Sequence, residues 1–247
     1  MQTDPQTRPD ETIDLGAIAA VVTGGSRGIG RAIALALAAR GARVAITGRS
    51  EQDLQAAAAE GSGRIHPVRA DVSQPDQAAS AIDTAAKAFG GFDVLVNNAG
   101  VGRFANAVDM SVEHWQDVIN TNLSGVFYCT RAAIPHLRTR GAGWIINISS
   151  LAGKNPFVGG TAYCASKAGL DAFSEALMQE VRYDNIRVSC IAPGSVATGF
   201  SGRAPTSGED WKISPDDIAE IVLGLVTFPQ RSLPSRVELR PSRPKKS

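Results

Sequence analysis

The sequence predicts a doubly wound α/β domain on a parallel sheet, and three observations predict it. Apolar strand-like runs alternate with alanine-rich helical runs along most of the chain. The strand runs are apolar at consecutive positions, which implies burial on both faces. A glycine-rich turn joins the first run directly to the first helical segment. Right-handed crossovers between such runs wind helices onto both faces of one sheet. About seven strands in a single domain are expected, since 247 residues suffice for one full core.

Taken in order, Ala19–Thr23 reads as a buried strand, and residues 28–40 as a helix with Ile29, Ile33 and Leu37 on one face. Residues 43–47 form a second strand, followed by a helix over Glu51–Glu60. Residues 65–70 are strand-like, 76–89 helical, 92–96 a fourth strand and 112–136 one long helix. Residues 144–149 give a fifth strand, 162–183 another long helix and 186–191 a sixth strand. Residues 199–212, rich in Gly, Ser and Pro, read as a loop. A helix over 215–228 follows, with Ser214 its N-cap, and 237–239 is a last strand. Residues 1–16 are expected to be a flexible arm, 17–241 the domain and 242–247 a flexible tail.

Composition narrows the partners. With 25 basic and 24 acidic side chains the net charge is +1, so no broad field attracts nucleic acid or an anionic membrane. The basic run at 240–246 is broken by prolines and reads as a solvated end. Cys129, Cys164 and Cys190 form no CxxC and no even set, so buried free thiols in a reducing, cytosolic setting are expected. His66, His114 and His136 are too scattered for a metal site. Residues 1–14 lack an apolar targeting core, and no apolar run reaches the ~18 residues of a membrane span. A soluble cytoplasmic protein is the expectation.

The first strand runs into Thr23-Gly24-Gly25-Ser26-Arg27-Gly28-Ile29-Gly30 and then a helix. Glycines allow a tight turn close to a pyrophosphate, and the helix N-terminus offers free N–H groups and a positive dipole end. The spacing differs from GxGxxG, so the turn alone is also compatible with a plain strand-to-helix connection. An NAD site places an acid at the end of the second strand, for the ribose 2′-OH. Here Gly48 is followed by Arg49, and Arg27 lies in the turn. Two arginines and no acid favour the 2′-phosphate of NADP(H) over NAD(H).

Tyr163-Cys164-Ala165-Ser166-Lys167 opens a helix and sets a Tyr and a Lys on one face. Deprotonating a phenol near pH 7 needs a shift of about 3 pH units. A fixed ammonium favours the phenolate, so Lys167 is expected to acidify Tyr163 as a general acid/base. Ser150 follows the fifth strand, where a hydroxyl faces the same crevice and can bond a substrate oxygen. Ser149 is the competing candidate, because strand alternation turns one of the two away.

With these motifs the chain resembles the short-chain dehydrogenase/reductase family over about residues 18–241. The likeness rests on TGGSRGIG at 23–30, Asp71-Val72, NNAG at 97–100, Asn122, Ser150, YCASK at 163–167, and Pro193-Gly194 with Thr198. It implies a single-domain Rossmann-type fold and an NADP(H)-preferring oxidoreductase that interconverts a carbonyl and a secondary or primary alcohol. Asn122, Ser150, Tyr163 and Lys167 become the implied catalytic set, Asn122 holding a water that relays protons from Lys167. Lys167 would also bond the nicotinamide ribose, beside Tyr163. The implied cofactor contacts are Gly24, Ser26, Arg27, Gly28, Ile29 and Gly30 in the turn, with Arg49 beyond it. Asp71, Val72, Asn97, Ala99 and Gly100 would flank the adenine and its ribose, and Pro193, Gly194, Val196 and Thr198 would line the nicotinamide. Family members are usually homodimers or homotetramers.

Leu151, Asn155, Phe157 and Val158 flank the site and are expected to form an apolar substrate pocket. The short loop from Thr198 to Ser214 suggests a small or moderate substrate, with Phe200 and Trp211 either covering it or packing on the core. The C-terminal Arg236-Val237-Glu238-Leu239-Arg240-Pro241 replaces the Gly-rich ending of the 3-oxoacyl-(acyl-carrier-protein) reductases, which ranks that activity second. A third alternative is a non-catalytic NADP(H)-binding sensor or scaffold, against which the complete Asn122, Ser150, Tyr163, Lys167 set argues.

Overall fold

Seven strands pair in parallel in the computed structural model, which describes residues 15–200 and 210–244. They are β1 (Ala19–Thr23), β2 (Arg43–Gly48), β3 (Ile65–Arg69), β4 (Val94–Asn97), β5 (Gly143–Ile148), β6 (Ile186–Pro193) and β7 (Arg236–Leu239). Their order is β3-β2-β1-β4-β5-β6-β7, so the direction of winding reverses between β1 and β4. The helices are α1 (Gly28–Ala39), α2 (Glu51–Glu60), α3 (Pro75–Phe89), α4 (Val112–Ile119), α5 (Gly125–Arg140), α6 (Thr161–Val181) and α7 (Pro215–Val226). This is the doubly wound Rossmann-type fold that the sequence predicts.

Consecutive strand residues are apolar because each face has its own helical cover. Ala20 and Val22 of β1 pack with Ile33 and Leu37 of α1 and Ile218 and Val222 of α7. Ala19 and Val21 face the opposite layer, with Ile82 of α3, Leu137 of α5 and Leu177 of α6. Burial of these side chains is worth roughly 1.5–3 kcal/mol for each large aliphatic group.

Several boundaries differ from the sequence expectation, and two of the differences matter at the site. The helix expected over 112–136 is two helices joined by a π-helical turn at Asn120–Ser124, which contains Asn122. The sixth strand extends to Pro193 and carries Gly194 to the carboxyl edge. Ser214 does cap α7: its hydroxyl accepts from the Asp216 N–H at 3.2 Å, while the Asp217 carboxylate accepts from its own N–H at 2.9 Å. Leu15, assigned to the flexible arm, is buried, and its N–H donates to the Arg40 carbonyl. Residues 1–14, 201–209 and 245–247 lie outside the described residues, and with them most of the expected arm, loop and tail end.

Candidate active site

Parallel strands leave a crevice at their carboxyl ends where the winding reverses. Here the turn after β1 and the segment after β4 are tied together across that reversal. The Asn98 amide donates to the Thr23 carbonyl at 2.9 Å and to the Gly24 carbonyl at 3.1 Å. The Thr23 hydroxyl accepts from the N–H groups of Asn98 and Ala99 at 3.0 and 3.1 Å. Gly24 has φ +64°, and a Cβ there would lie 2.9 Å from Ala99 Cα, so glycine is required on both counts.

A cavity of about 1230 Å³ opens from this junction. One end is lined by Gly24, Ser26, Arg27, Gly28 and Ile29, by Arg49 after β2, and by Asp71 and Val72 after β3. The middle is lined by Ala99, Gly100, Pro193, Gly194, Val196 and Thr198. At the far end stand Ser150, Leu151, Asn155, Phe157, Tyr163 and Lys167. The structure therefore brings nearly the whole predicted set to one space.

Four predicted residues stand elsewhere. Gly30 packs behind the turn, where a Cβ would come 2.3 Å from the Gly24 carbonyl oxygen, so it serves the helix–strand approach and not the cavity wall. Asn97 is the last residue of β4 and points into the core, donating to Thr130 Oγ1 and Asn147 Oδ1 at 3.1 and 2.8 Å. Asn122 is fully buried outside the cavity wall. Its Nδ2 donates to the Val101 carbonyl and Ser166 Oγ, and its Oδ1 accepts from the Val101 N–H. That side chain is spent on holding the loop after β4 against α6. Val158 is 92% exposed and lines nothing, because the chain turns outward after Phe157.

The serine ambiguity is resolved by alternation. Ser149 turns inward and donates to Asp171 Oδ1 at 2.6 Å, whereas Ser150 hydrogen-bonds the Tyr163 phenol. Ser150 also accepts from the Ala152 N–H at 3.1 Å, which starts a short 3₁₀ turn. Tyr163 is packed edge-on by Phe104 and tilted against Phe200, each at 5.7 Å between ring centroids. Lys167 lies one turn along α6 at 5% exposure, donating to the Ile148 carbonyl at 2.9 Å, with its Nζ 5.8 Å from the Tyr163 ring centroid.

The electrostatics run opposite to the sequence expectation. Burial raises the Tyr163 pKa above its ordinary value; the Ser150 hydrogen bond pulls it back in part, and the Cys164 thiol adds a further push upward. Burial also lowers Lys167 to about 8, against the upward pull of Cys190 and Asp171. Lys167 meets the backbone of β5 and sits over the ring, and burial outweighs the Ser150 hydrogen bond at the phenol.

Sequence reasoning missed several wall residues. Phe104 contacts Tyr163 from the loop after β4, and nothing in its local pattern marks it. Ser50, the N-cap of α2, and Asp53, in its first turn, line the cavity beside Arg49. The Thr47 hydroxyl at its floor is buried with no protein partner. Arg240, Pro241 and Pro244 also line it, so the C-terminal segment closes over the site. Phe200 and Trp211 both face the cavity, as covers.

A doubly wound parallel sheet with a glycine turn at its reversal, and a Tyr–Lys pair in the same crevice, defines a Rossmann-type oxidoreductase. The chain belongs to the short-chain dehydrogenase family, whose pattern matches residues 18–207. It is 34% identical over 226 residues to an uncharacterised oxidoreductase of Staphylococcus aureus (strain MRSA252), covering 90% of this chain and 96% of that one. It is 45% identical over 187 residues to a 3-oxoacyl-[acyl-carrier-protein] reductase of Chlamydia trachomatis, covering 74% and 75%. A metagenomic short-chain oxidoreductase solved in complex with NADP superposes with a TM-score of 0.82 at 39% identity, covering 95% of this chain and 100% of that chain.

Proposed function

We propose that the protein is an NADP(H)-dependent oxidoreductase that interconverts a carbonyl and a secondary or primary alcohol, with Tyr163 as the proton-exchanging group. The observation that carries it is the placement of the Tyr163 phenol and Ser150 hydroxyl in the same cavity as the glycine turn and Arg49. The cradle suits a dinucleotide: the turn admits no Cβ at Gly24, and the orphaned Thr47 hydroxyl lies at its floor. Gly24, Ser26, Gly28 and Ile29 would hold the pyrophosphate at the α1 N-terminus. Arg27 and Arg49 are exposed and have no carboxylate partner among the described residues, which supports a 2′-phosphate between them. Asp71, Val72, Ala99 and Gly100 would flank the adenosine side, and Pro193, Gly194, Val196 and Thr198 the nicotinamide. Bound there, the cofactor supplies or accepts the hydride.

The residues of this chain then handle the oxygen and its proton. Ser150 donates a hydrogen bond to the substrate oxygen, and Tyr163 hands over its proton as charge builds there. Lys167, held by the Ile148 carbonyl, keeps a positive charge near the phenol below pH of about 8. Phe104, Phe157 and Leu151 line the reacting end, which favours carbonyls with apolar substituents.

Replacing Tyr163 by Phe tests the assignment. Turnover of an apolar ketone panel with NADPH should fall by at least 10³-fold, a loss typical of a deleted acid/base, while NADPH still binds. Retained turnover would refute the assignment of Tyr163, and a protein that binds NADPH but turns over nothing in the panel supports the sensor reading. A 3-oxoacyl thioester belongs in the panel, because the Chlamydia trachomatis likeness favours that substrate as a second reading. The C-terminal prolines at the cavity wall argue for a narrower entrance than a carrier-bound chain needs.

A further inference from the structure

We propose that Asp171 is a positioning residue that sets the charge of Lys167 and shares that duty with Arg236, so that docking of β7 reports to the catalytic helix. Asp171 lies one turn beyond Lys167 on the same face of α6, 13% exposed. Its Oδ1 accepts from Ser149 Oγ at 2.6 Å and from Cys190 Sγ at 3.3 Å, and its Oδ2 accepts from Arg236 Nη2 at 2.9 Å. A Cβ on Gly153 would sit 2.7 Å from Oδ2, so the turn that carries Ser150 also closes on this carboxylate. Three elements meet there: the end of β5, β6 and β7. All of these are side-chain contacts, separate from the backbone pairing that sets Cys190 opposite Arg236.

The charges around Lys167 can be counted by element. On α6 it faces the Tyr163 phenol, whose pKa is raised, and Asp171. From β6 it faces Cys190, pushed up to about 12 by burial first and Asp171 second, and therefore an uncharged thiol at neutral pH. From the end of β5 it meets a carbonyl and Ser149, which carry no charge. Asp171 is thus the one formal negative charge on Lys167 among the described residues. Arg236, from β7, takes part of that field for itself; its Nε in turn donates to Glu238, which also pairs with Lys154 and Arg240. The chain of charges runs from the cavity rim at Arg240 to the catalytic lysine.

Two substitutions separate this role from simple support. Asp171→Asn removes the negative charge, so the Lys167 titration midpoint should fall by about one pH unit. Arg236→Gln frees the full Asp171 charge, so the midpoint should rise. The direct readout is the side-chain NMR resonance of Lys167 titrated in the cofactor-free protein, which is independent of turnover. The proposal rests on the catalytic reading only for its second readout, in which the alkaline limb of the kcat profile moves in the same two directions. Opposite shifts support the coupling; shifts in one common direction, or none, overturn it. If Asp171→Asn does not fold, Arg236→Gln decides alone, an upward shift supporting the proposal and any other result sinking it. An inactive Tyr163→Phe with normal lysine shifts leaves both readings standing, whereas an active one removes the first without touching the second.

Discussion

An ammonium kept in a dry interior opposes folding, and Lys167 is such a group. Its folded pKa of about 8 lies below the ordinary 10.5, so between those values the unfolded chain holds more protons than the folded one. Stability contributed by this residue therefore rises with pH from about 8 to 10.5, by about 3 kcal/mol in total. Chemical unfolding of the wild type and of Lys167→Met at pH 7.5 and pH 10.5 should show the gap between them shifting by that amount in favour of the wild type; a constant gap would mean that the lysine is not buried as described. At the other end of the cavity, Arg49→Ala is expected to raise the KM for NADPH at least tenfold and to leave that for NADH nearly unchanged, the loss matching one charge-assisted phosphate contact. Equal effects on the two would place the 2′-phosphate elsewhere. Residue types were legible where chemistry restricts them: Gly24 and Gly28 of the turn, Tyr163, Lys167 and Ser150 all reach the cavity. Direction was not. Asn97, Asn98, Ser149 and Ser150 are neighbours whose fates differ by one step of strand alternation, and a pattern of letters does not fix the phase of the final step.

Elements are set by local rules that the sequence states openly, and where it does so the boundaries agree. The Ser214 cap and the helix start at Pro215 were written in the sequence, the structure adds the Asp217 return bond, and Ser214→Ala should cost about 1 kcal/mol of stability. The β1–α1 turn is the stricter element: Gly24→Ala must adopt φ +64° and meet Ala99, so a loss of 1–2 kcal/mol is expected with NADPH affinity reduced more than tenfold. A variant that melts and binds as the wild type does would remove the turn from the proposed cradle. A helix-interior Asn that bonds backbone suggests a kink at Asn122, but the form it takes, a π-helical turn at Asn120–Ser124, has a tertiary cause. Asn122 leaves the helix register to satisfy Val101 and Ser166, and those partners lie 21 and 44 residues away. Local periodicity carries no information about such contacts.

At the scale of the whole molecule the doubly wound parallel sheet with helices on both faces was legible, since consecutive apolar strands demand two helical layers joined by right-handed crossovers. Assembly was not. Trp115 and Phe127, 41% and 46% exposed on α4 and α5, are where the family expectation of a dimer or tetramer can be tested. Sedimentation should give twice or four times the chain mass, and Phe127→Glu should lower it; a monomer in the wild type at micromolar concentration would contradict the expectation. The cavity wall also has an order in time. Everything from Gly24 to Thr198 leaves the ribosome well before Arg240, Pro241 and Pro244, which finish the wall. A nascent chain paused between those points carries the phenol and the glycine turn yet lacks the far rim, and that rim follows directly on β7, the edge strand that pairs with β6.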